Sequence, residues 1–302
     1  MTHVALIVAM ILQLTGLWPL LPGPNQTSIS QAASVRASPK PVEQAFEFNI
    51  PVPTDAAKPI FKTSASVYSF DQATSMPLFR QNIDQRRPVA SITKLITAMV
   101  ILDRHKPTDI VTIGQLPVYP IEAETIGLRQ GETYTVGSLV TAALVPSAND
   151  AADALAIYDA GSVAAFATRM NAKMAQWHIP DTHWSNASGL VDDNNYASAR
   201  ALGQIATLAI KQTFITSVIK LPNVSITSIS GRTFNLNNTN KLLATGSFYG
   251  IKTGYTEASG ECFIGITKAN GHKVVTVLLG ADDRFGDTQT LVNWIGIGWK
   301  WL

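Results

Sequence analysis

Ser91 and Lys94 stand three positions apart in Pro88-Val-Ala-Ser-Ile-Thr-Lys. On a helix that spacing puts both side chains on one face, where an amine can reach a hydroxyl. A helix opening at Ser91 would also offer unpaired N–H groups and a partial positive charge to an oxyanion forming there. The chemistry implied is a serine nucleophile with lysine as its base, which requires the amine to be neutral. Its ordinary pKa of about 10.4 must then fall, through burial or a nearby cation. Spacing alone is weak evidence, because Ser217-Val-Ile-Lys220 repeats it, and a solvated pair on a helix is the ordinary reading of such a match. Only the first copy is followed in order by Ser147-Ala-Asn149 and Lys252-Thr-Gly254. Ser147 and Asn149 follow Pro146 between two helical runs, where a short loop can aim both into a cleft, although residues of these types also serve as N-caps. Lys252-Thr253-Gly254 ends a strand-like run. There a glycine leaves room for a substrate along the strand edge and Lys252 could be the second cation, while a plain turn is the alternative reading.

In this order the three motifs match the serine enzymes that recognise penicillin. The segments Pro88-Val-Ala-Ser-Ile-Thr-Lys, Gly127-Leu-Arg-Gln-Gly-Glu, Val145-Pro-Ser-Ala-Asn-Asp-Ala-Ala, Asn238-Thr-Asn-Lys-Leu-Leu and Gly250-Ile-Lys-Thr-Gly-Tyr-Thr resemble the low-molecular-mass penicillin-binding proteins, the D-alanyl-D-alanine carboxypeptidases. The resemblance runs from about residue 62 to the C-terminus. It implies an α+β fold of the β-lactamase/transpeptidase-like kind, an antiparallel sheet flanked by helices with a mainly helical subdomain. It also implies removal of the terminal D-alanine from peptidoglycan pentapeptides through an acyl-enzyme, with β-lactams as covalent inhibitors and no cofactor or metal.

Carried onto this chain, the resemblance makes Ser91 the nucleophile and Lys94 its base. Ser147 relays a proton to the departing D-alanine, and Asn149 holds the substrate carbonyl side and the lysine. Lys252 and Thr253 bind the substrate carboxylate, and Lys252 lowers the pKa of Lys94. Gly254 and Tyr255 complete the substrate-binding strand, the backbone N–H groups of Ser91 and Tyr255 form the oxyanion hole, and Arg284 assists with the carboxylate. The middle motif is Ser-Ala-Asn rather than Ser-Asp-Asn, which keeps the two residues that do chemistry. A class A β-lactamase shares the motifs but adds a deacylating glutamate after the Ser-x-Asn loop. This chain has no glutamate between Glu132 and Glu257, which favours a long-lived penicilloyl-enzyme. DD-endopeptidase action uses the same site. A non-catalytic peptidoglycan-binding module would not need Ser91, Lys94, Ser147, Asn149 and Lys252 together, and no Gly-x-Ser-x-Gly elbow supports a Ser-His-Asp hydrolase.

These residues need elements to hold them. Ala65 to Phe70 and Met76 to Arg80 read as a hairpin across Asp71 to Ser75. Ile92, Leu95, Ile96, Met99 and Val100 recur at the spacing of a helix with one buried face, bounded by Pro88 and Pro107. Further helical runs are Val136 to Val145, Asp150 to Tyr158, Val163 to Trp177 and Ala199 to Ile210. Strand patterns follow at Gly250 to Thr253, Cys262 to Thr267 and Lys273 to Leu279, the last two joined by Asn270-Gly271, a strong hairpin turn. An amphipathic stretch, Thr288 to Trp301, closes the chain. Strands at both ends and helices between them predict terminal segments sharing one antiparallel sheet.

With 302 residues, 46% of them hydrophobic, the chain has ample core for a folded unit. Lys+Arg 23 against Asp+Glu 21, without a clustered basic face, argues against nucleic acid as partner. One cysteine and five scattered histidines argue against structural zinc. Val4 to Leu21 is long and apolar enough for a membrane helix, so residues 1–33 read as a signal peptide or N-terminal anchor. Residues 34–59, with Pro39, Pro41, Pro51, Pro53 and Pro59, read as a linker, and 60–302 as the catalytic domain. The expected location is extracytoplasmic, on the cell-wall side, with any membrane tether at the N-terminus.

Overall fold

The strand pattern at the two ends of the sequence resolves into one sheet in the protein's structure, a computed structural model that describes residues 49–55, 59, 63–190 and 194–302. The expected export or anchor segment lies outside the described residues. In chain order come strands Pro51–Pro53 (β1), Ser66–Asp71 (β2), Pro77–Gln81 (β3) and Arg87–Pro88 (β4), a 3-10 turn at Ala90–Ile92, and helix Thr93–Arg104 (α1). Strands Ile110–Thr112 (β5) and Thr133–Thr135 (β6) bracket a long loop. Helices Val136–Leu144 (α2), Asn149–Ala160 (α3) and Val163–Gln176 (α4) follow. Next are Thr182–His183 (β7), Tyr196–Ala197 (β8), Ala199–Ala209 (α5), Thr213–Val218 (α6), Asn223–Thr227 (β9), Thr233–Asn237 (β10) and a 3-10 turn at Lys241–Thr245. The chain ends in Phe248–Thr256 (β11), Gly260–Ala269 (β12), His272–Ala281 (β13), Arg284–Gly298 (α7) and Trp299–Trp301 (β14).

The main sheet runs β11-β12-β13-β2-β3, and every neighbouring pair is antiparallel. The hairpin between β12 and β13 turns at Asn270 and Gly271, whose φ angles of 50° and 84° are those the Asn-Gly pair supplies. Successive β13 side chains serve opposite layers, as a period of two requires. Val274 and Leu278 pack with Val67, Leu291 and Ile295 under α7, whereas Val275, Val277 and Leu279 join Tyr68, Phe70 and the helical core. Helix α5 covers β2 and β13 on that second face and α7 covers β12 and β13 on the first, giving three layers. Each fully buried aliphatic chain contributes about 2 kcal/mol. Trp299 is buried beneath α7, and Trp301 donates its indole N–H to Asp71 Oδ2 at 3.0 Å, so both serve packing.

The structure departs from the sequence reading in the surroundings of α1, in the last helix and in the linker. Helix α1 is not buried on one face only: every residue from Thr93 to Ile101 is buried, because helices α2, α3, α4 and α5 pack around it. Its polar residues are therefore satisfied internally, as with Thr97 Oγ1, which donates to the Ala187 carbonyl at 2.7 Å. Helix α7 spans 284–298 rather than 288–301; the Asp283 side chain caps it, accepting from Gly286 N at 2.9 Å, and Trp299–Trp301 leaves the helix as β14. That strand pairs with β1, which lies inside the stretch read as a linker. Two prolines are tolerated there because the pair has only two strands, and Ile50 N and Thr54 N supply bonds to Leu302 O at 2.9 Å and Gly298 O at 2.8 Å.

Candidate active site

The Ser91 turn is shaped by its backbone. Ala90 has φ +47°, a left-handed conformation that a side chain disfavours, and the 3-10 turn carrying Ser91 begins there. Helix α1 therefore opens at Thr93, two residues after the serine, rather than at Ser91 as the spacing predicts. The turn is pressed by Gly189 (φ +75°), where an added Cβ would lie 2.0 Å from Ala90 O. Only glycine permits that approach, and it brings the Ser188 carbonyl to the lysine. Lys94 Nζ donates to Ser91 Oγ at 2.8 Å and to Ser188 O at 2.8 Å. Lys94 is completely buried. Burial brings its amine down to about 7, against the upward pull of Asp153, Glu124 and Asp150.

Ser147 and Asn149 lie where α2 gives way to α3. Ser147 has φ +69°, a second non-glycine residue held left-handed beside the site. The N-cap residue of α3 is Ala148, with no side-chain cap, so neither Ser147 nor Asn149 serves as the cap their types suggest. Instead Ser147 Oγ accepts from Lys252 Nζ at 2.9 Å. Asn149 donates from its backbone N at 2.7 Å and its Nδ2 at 2.9 Å to the Glu124 carbonyl, while its Oδ1 is buried without a donor.

Strand β11 is the edge of the main sheet, and it passes directly beside the Ser91 turn. Lys252, 1% exposed, also donates to Thr253 O at 2.9 Å. Burial, followed by the cations of Lys94 and Arg284, holds Lys252 well below the usual lysine range. Burial is the leading influence on both amines, and the two buried lysines act on one another as like charges, each disfavouring the other's ammonium form. Thr253 Oγ1 and Thr239 Oγ1 are 2.6 Å apart. Arg284 Nη1 donates to Gly254 O at 2.7 Å and its backbone N donates to Glu261 Oε2 at 2.8 Å, so Arg284 is tied to both β11 and β12. Tyr255 is 61% exposed at the mouth.

At Gly254 an added Cβ would lie 2.9 Å from Val89 O and 3.0 Å from Ser91 N, the donor that would face an oxyanion. Both contacts are backbone and cannot swing away. Gly254→Ala is therefore expected to lower the rate of acylation by benzylpenicillin by about 10²-fold to 10³-fold, the cost of a displaced oxyanion donor, and to lower thermal stability through the same overpacking. A rate equal to that of the unaltered protein would show that the strand does not crowd this N–H.

The second Ser-x-x-Lys copy has none of this company. Ser217 is exposed on the six-residue α6 and donates to Phe214 O at 2.7 Å, and Lys220 is exposed. Motif spacing did not point to Ser188 O or Glu124 O, which are backbone groups, nor to Asp153. Thr239 lies within Asn238-Thr-Asn-Lys, a segment already marked by the resemblance. Among the described residues no group of three His, Cys, Asp or Glu side chains could hold a metal ion.

A three-layer α+β fold in which a serine hydroxyl bonds a buried lysine amine, with a second serine–lysine pair beside it and a free strand edge alongside, defines the active-serine acyl-transfer class of penicillin-binding fold. Within that class the chain belongs to the D-alanyl-D-alanine carboxypeptidase family, whose description fits residues 54–283. It is 30% identical over 282 residues to a D-alanyl-D-alanine endopeptidase of Pseudomonas aeruginosa, covering 90% of this chain and 86% of that one. The Streptomyces K15 DD-transpeptidase crystal structure superposes with a TM-score of 0.74 at 26% identity, over 80% of this chain and 99% of that one. Penicillin-binding protein D2 of Listeria monocytogenes in its ampicillin-bound form gives 0.67 at 27% identity, over 78% and 97%.

Proposed function

We propose that the protein is a serine-type D-alanyl-D-alanine carboxypeptidase that removes the terminal D-alanine from peptidoglycan pentapeptides by way of an acyl-enzyme on Ser91. The observation that carries this reading is the pair of buried contacts, Lys94 Nζ to Ser91 Oγ at 2.8 Å and Lys252 Nζ to Ser147 Oγ at 2.9 Å. The substrate lies along the free edge of β11, as an added strand. Lys94 takes the Ser91 proton as Oγ bonds to the scissile carbonyl carbon, and the backbone N–H groups of Ser91 and Tyr255 receive the oxyanion. Asn149 holds the carbonyl side of the substrate. Ser147 relays the proton now on Lys94 to the departing amine as the C–N bond breaks, and Lys252 and Thr253 bind the terminal carboxylate with Arg284 in support. Water, giving one proton to the neutral Lys94 and through it to Ser91 Oγ, then displaces the serine and releases the shortened peptide. A β-lactam opens on the same serine, but its leaving group stays tethered and the adduct persists.

A family that acts on peptidoglycan works outside the cytoplasm. Val4 to Leu21 supports export or anchoring through the N-terminus, and residues 34–48 would serve as the tether. Among the described residues no helix is long and apolar enough to cross a membrane.

Endopeptidase action is the second reading, supported by the likeness to the Pseudomonas endopeptidase over most of both chains. Incubating the full chain with a pentapeptide and, separately, with a D-Ala cross-linked dimer distinguishes the two. Free D-alanine from the pentapeptide as the faster product is expected. Cleavage of the dimer alone would replace carboxypeptidase by endopeptidase, and turnover of neither would contradict the proposal.

A further inference from the structure

Asp153 lies one turn past Asn149 on α3, outside all three motifs. It is a buried carboxylate, 5% exposed, in a helix that packs against α1, the helix of Lys94. Its Oδ2 accepts from the Tyr119 hydroxyl at 2.8 Å, and its Oδ1 is buried with no donor. Tyr119 belongs to the loop between β5 and β6, the same loop whose Glu124 carbonyl takes both Asn149 donors. A half-satisfied carboxylate in a dry interior is costly unless something nearby needs its charge.

Lys94 supplies that need. In accepting a proton it becomes an ammonium in a site that already holds the buried Lys252 and, bonded to the Gly254 carbonyl of β11, Arg284. Two of its three protons then have Ser91 Oγ and Ser188 O as acceptors. The charged groups around it are Asp153 and Asp150 from α3, Glu124 from the loop and Lys252 from β11, and Asp153 exerts the strongest upward pull. Around Asp153 itself stand Tyr119, Lys94 and Asp150. Burial raises its carboxyl to about 6, opposed by the Tyr119 hydrogen bond and by Lys94.

We propose that Asp153, oriented by Tyr119, is a positioning residue whose carboxylate supplies the counter-charge for the ammonium Lys94 becomes on taking the Ser91 proton. This rests on the reading of Lys94 as the base. Without the carboxylate Lys94 holds a proton less firmly, so the pH at which it becomes neutral falls. Without the Tyr119 hydroxyl, Asp153 loses a bond that favours its charged form, and the effect has the same sign but is smaller.

The test is the second-order rate of acylation of the full chain by benzylpenicillin between about pH 5 and pH 9, a span covering the titration of both groups. In Asp153→Asn the acidic limb of the profile should move down by about one pH unit, the shift expected on losing one nearby opposite charge. In Tyr119→Phe it should move the same way by less, and this variant decides the matter if Asp153→Asn does not fold. A limb that stays in place while the rate falls uniformly would show a merely structural role and overturn the proposal. Lys94→Met separates the two levels: if it acylates with the limb of the unaltered protein, the base reading falls and the proposal with it. If it is inactive and neither limb moves, the proposal alone falls.

Discussion

Ser91→Ala is expected to abolish covalent labelling by fluorescent penicillin and to lower D-alanine release by at least about 10³-fold, because the acyl-enzyme forms on Ser91 while the other serine of the site, Ser147, is engaged by Lys252 Nζ at 2.9 Å as the proton relay. The substitution removes one acceptor from the Lys94 amine but leaves Ser188 O at 2.8 Å, so the lysine keeps its place. Ser217→Ala provides the control. That residue shares the spacing but is exposed, spends its hydroxyl on Phe214 O and has an exposed Lys220 as its companion, so labelling should be unchanged. Retained labelling in Ser91→Ala, or its loss in Ser217→Ala, would assign the nucleophile wrongly.

Lys94→Met should cost about 10²-fold to 10⁴-fold in acylation, the range spanned by a positioned general base. Methionine approximates the shape of the lysine stem and removes only the amine, so the fully buried cavity stays filled. The pH dependence of the unaltered protein carries the same information. A base works only unprotonated, and burial brings Lys94 down to about 7. Acylation should therefore rise with pH as the amine passes through that value and level off above it. An ordinary lysine, with a pKa of about 10.4, would leave the rate still climbing beyond pH 9. A plateau reached near neutrality in the unaltered protein and absent in Lys94→Met supports the assignment; a rate still climbing at pH 9 contradicts it.

Sequence periodicity revealed those parts of the fold whose side chains repeat regularly. The helical runs at 136–145, 163–177 and 199–210 lie within a residue of α2, α4 and α5, because apolar periodicity and bounding caps act locally. The Asn270-Gly271 hairpin was legible for the same reason. Helix α6 and the β9–β10 hairpin were not expected; their short runs mix polar and apolar residues, and β9 and β10 keep much of their length exposed. The pairing of β1 with β14 joins residues about 250 apart, and a Pro-Val-Pro run reads as linker until its partner is present.

The chemical groups of the site were legible as motifs, since Ser91, Lys94, Ser147, Asn149 and Lys252 are named by type and spacing. What positions them was not. Ala90 and Ser147 carry left-handed backbone angles that no residue preference announces, and Ser188 contributes a carbonyl that any residue would supply. The glycine at 189 matters through contact with Ala90, a neighbour almost 100 positions away in sequence. Asp153 reads as one more charge on an alanine-rich helix, and only its burial and its bond to Tyr119 set it apart.

The most direct test is to treat the full chain with benzylpenicillin, digest it, and locate the added mass by tandem mass spectrometry. The penicilloyl group should be found on Ser91, and Lys252→Met, which removes the partner of Ser147 from the far strand, should slow its appearance. An adduct on Ser217, an adduct indifferent to Lys252, or no adduct at all would mean that the segments around residues 91, 147 and 252 do not act on one acyl group.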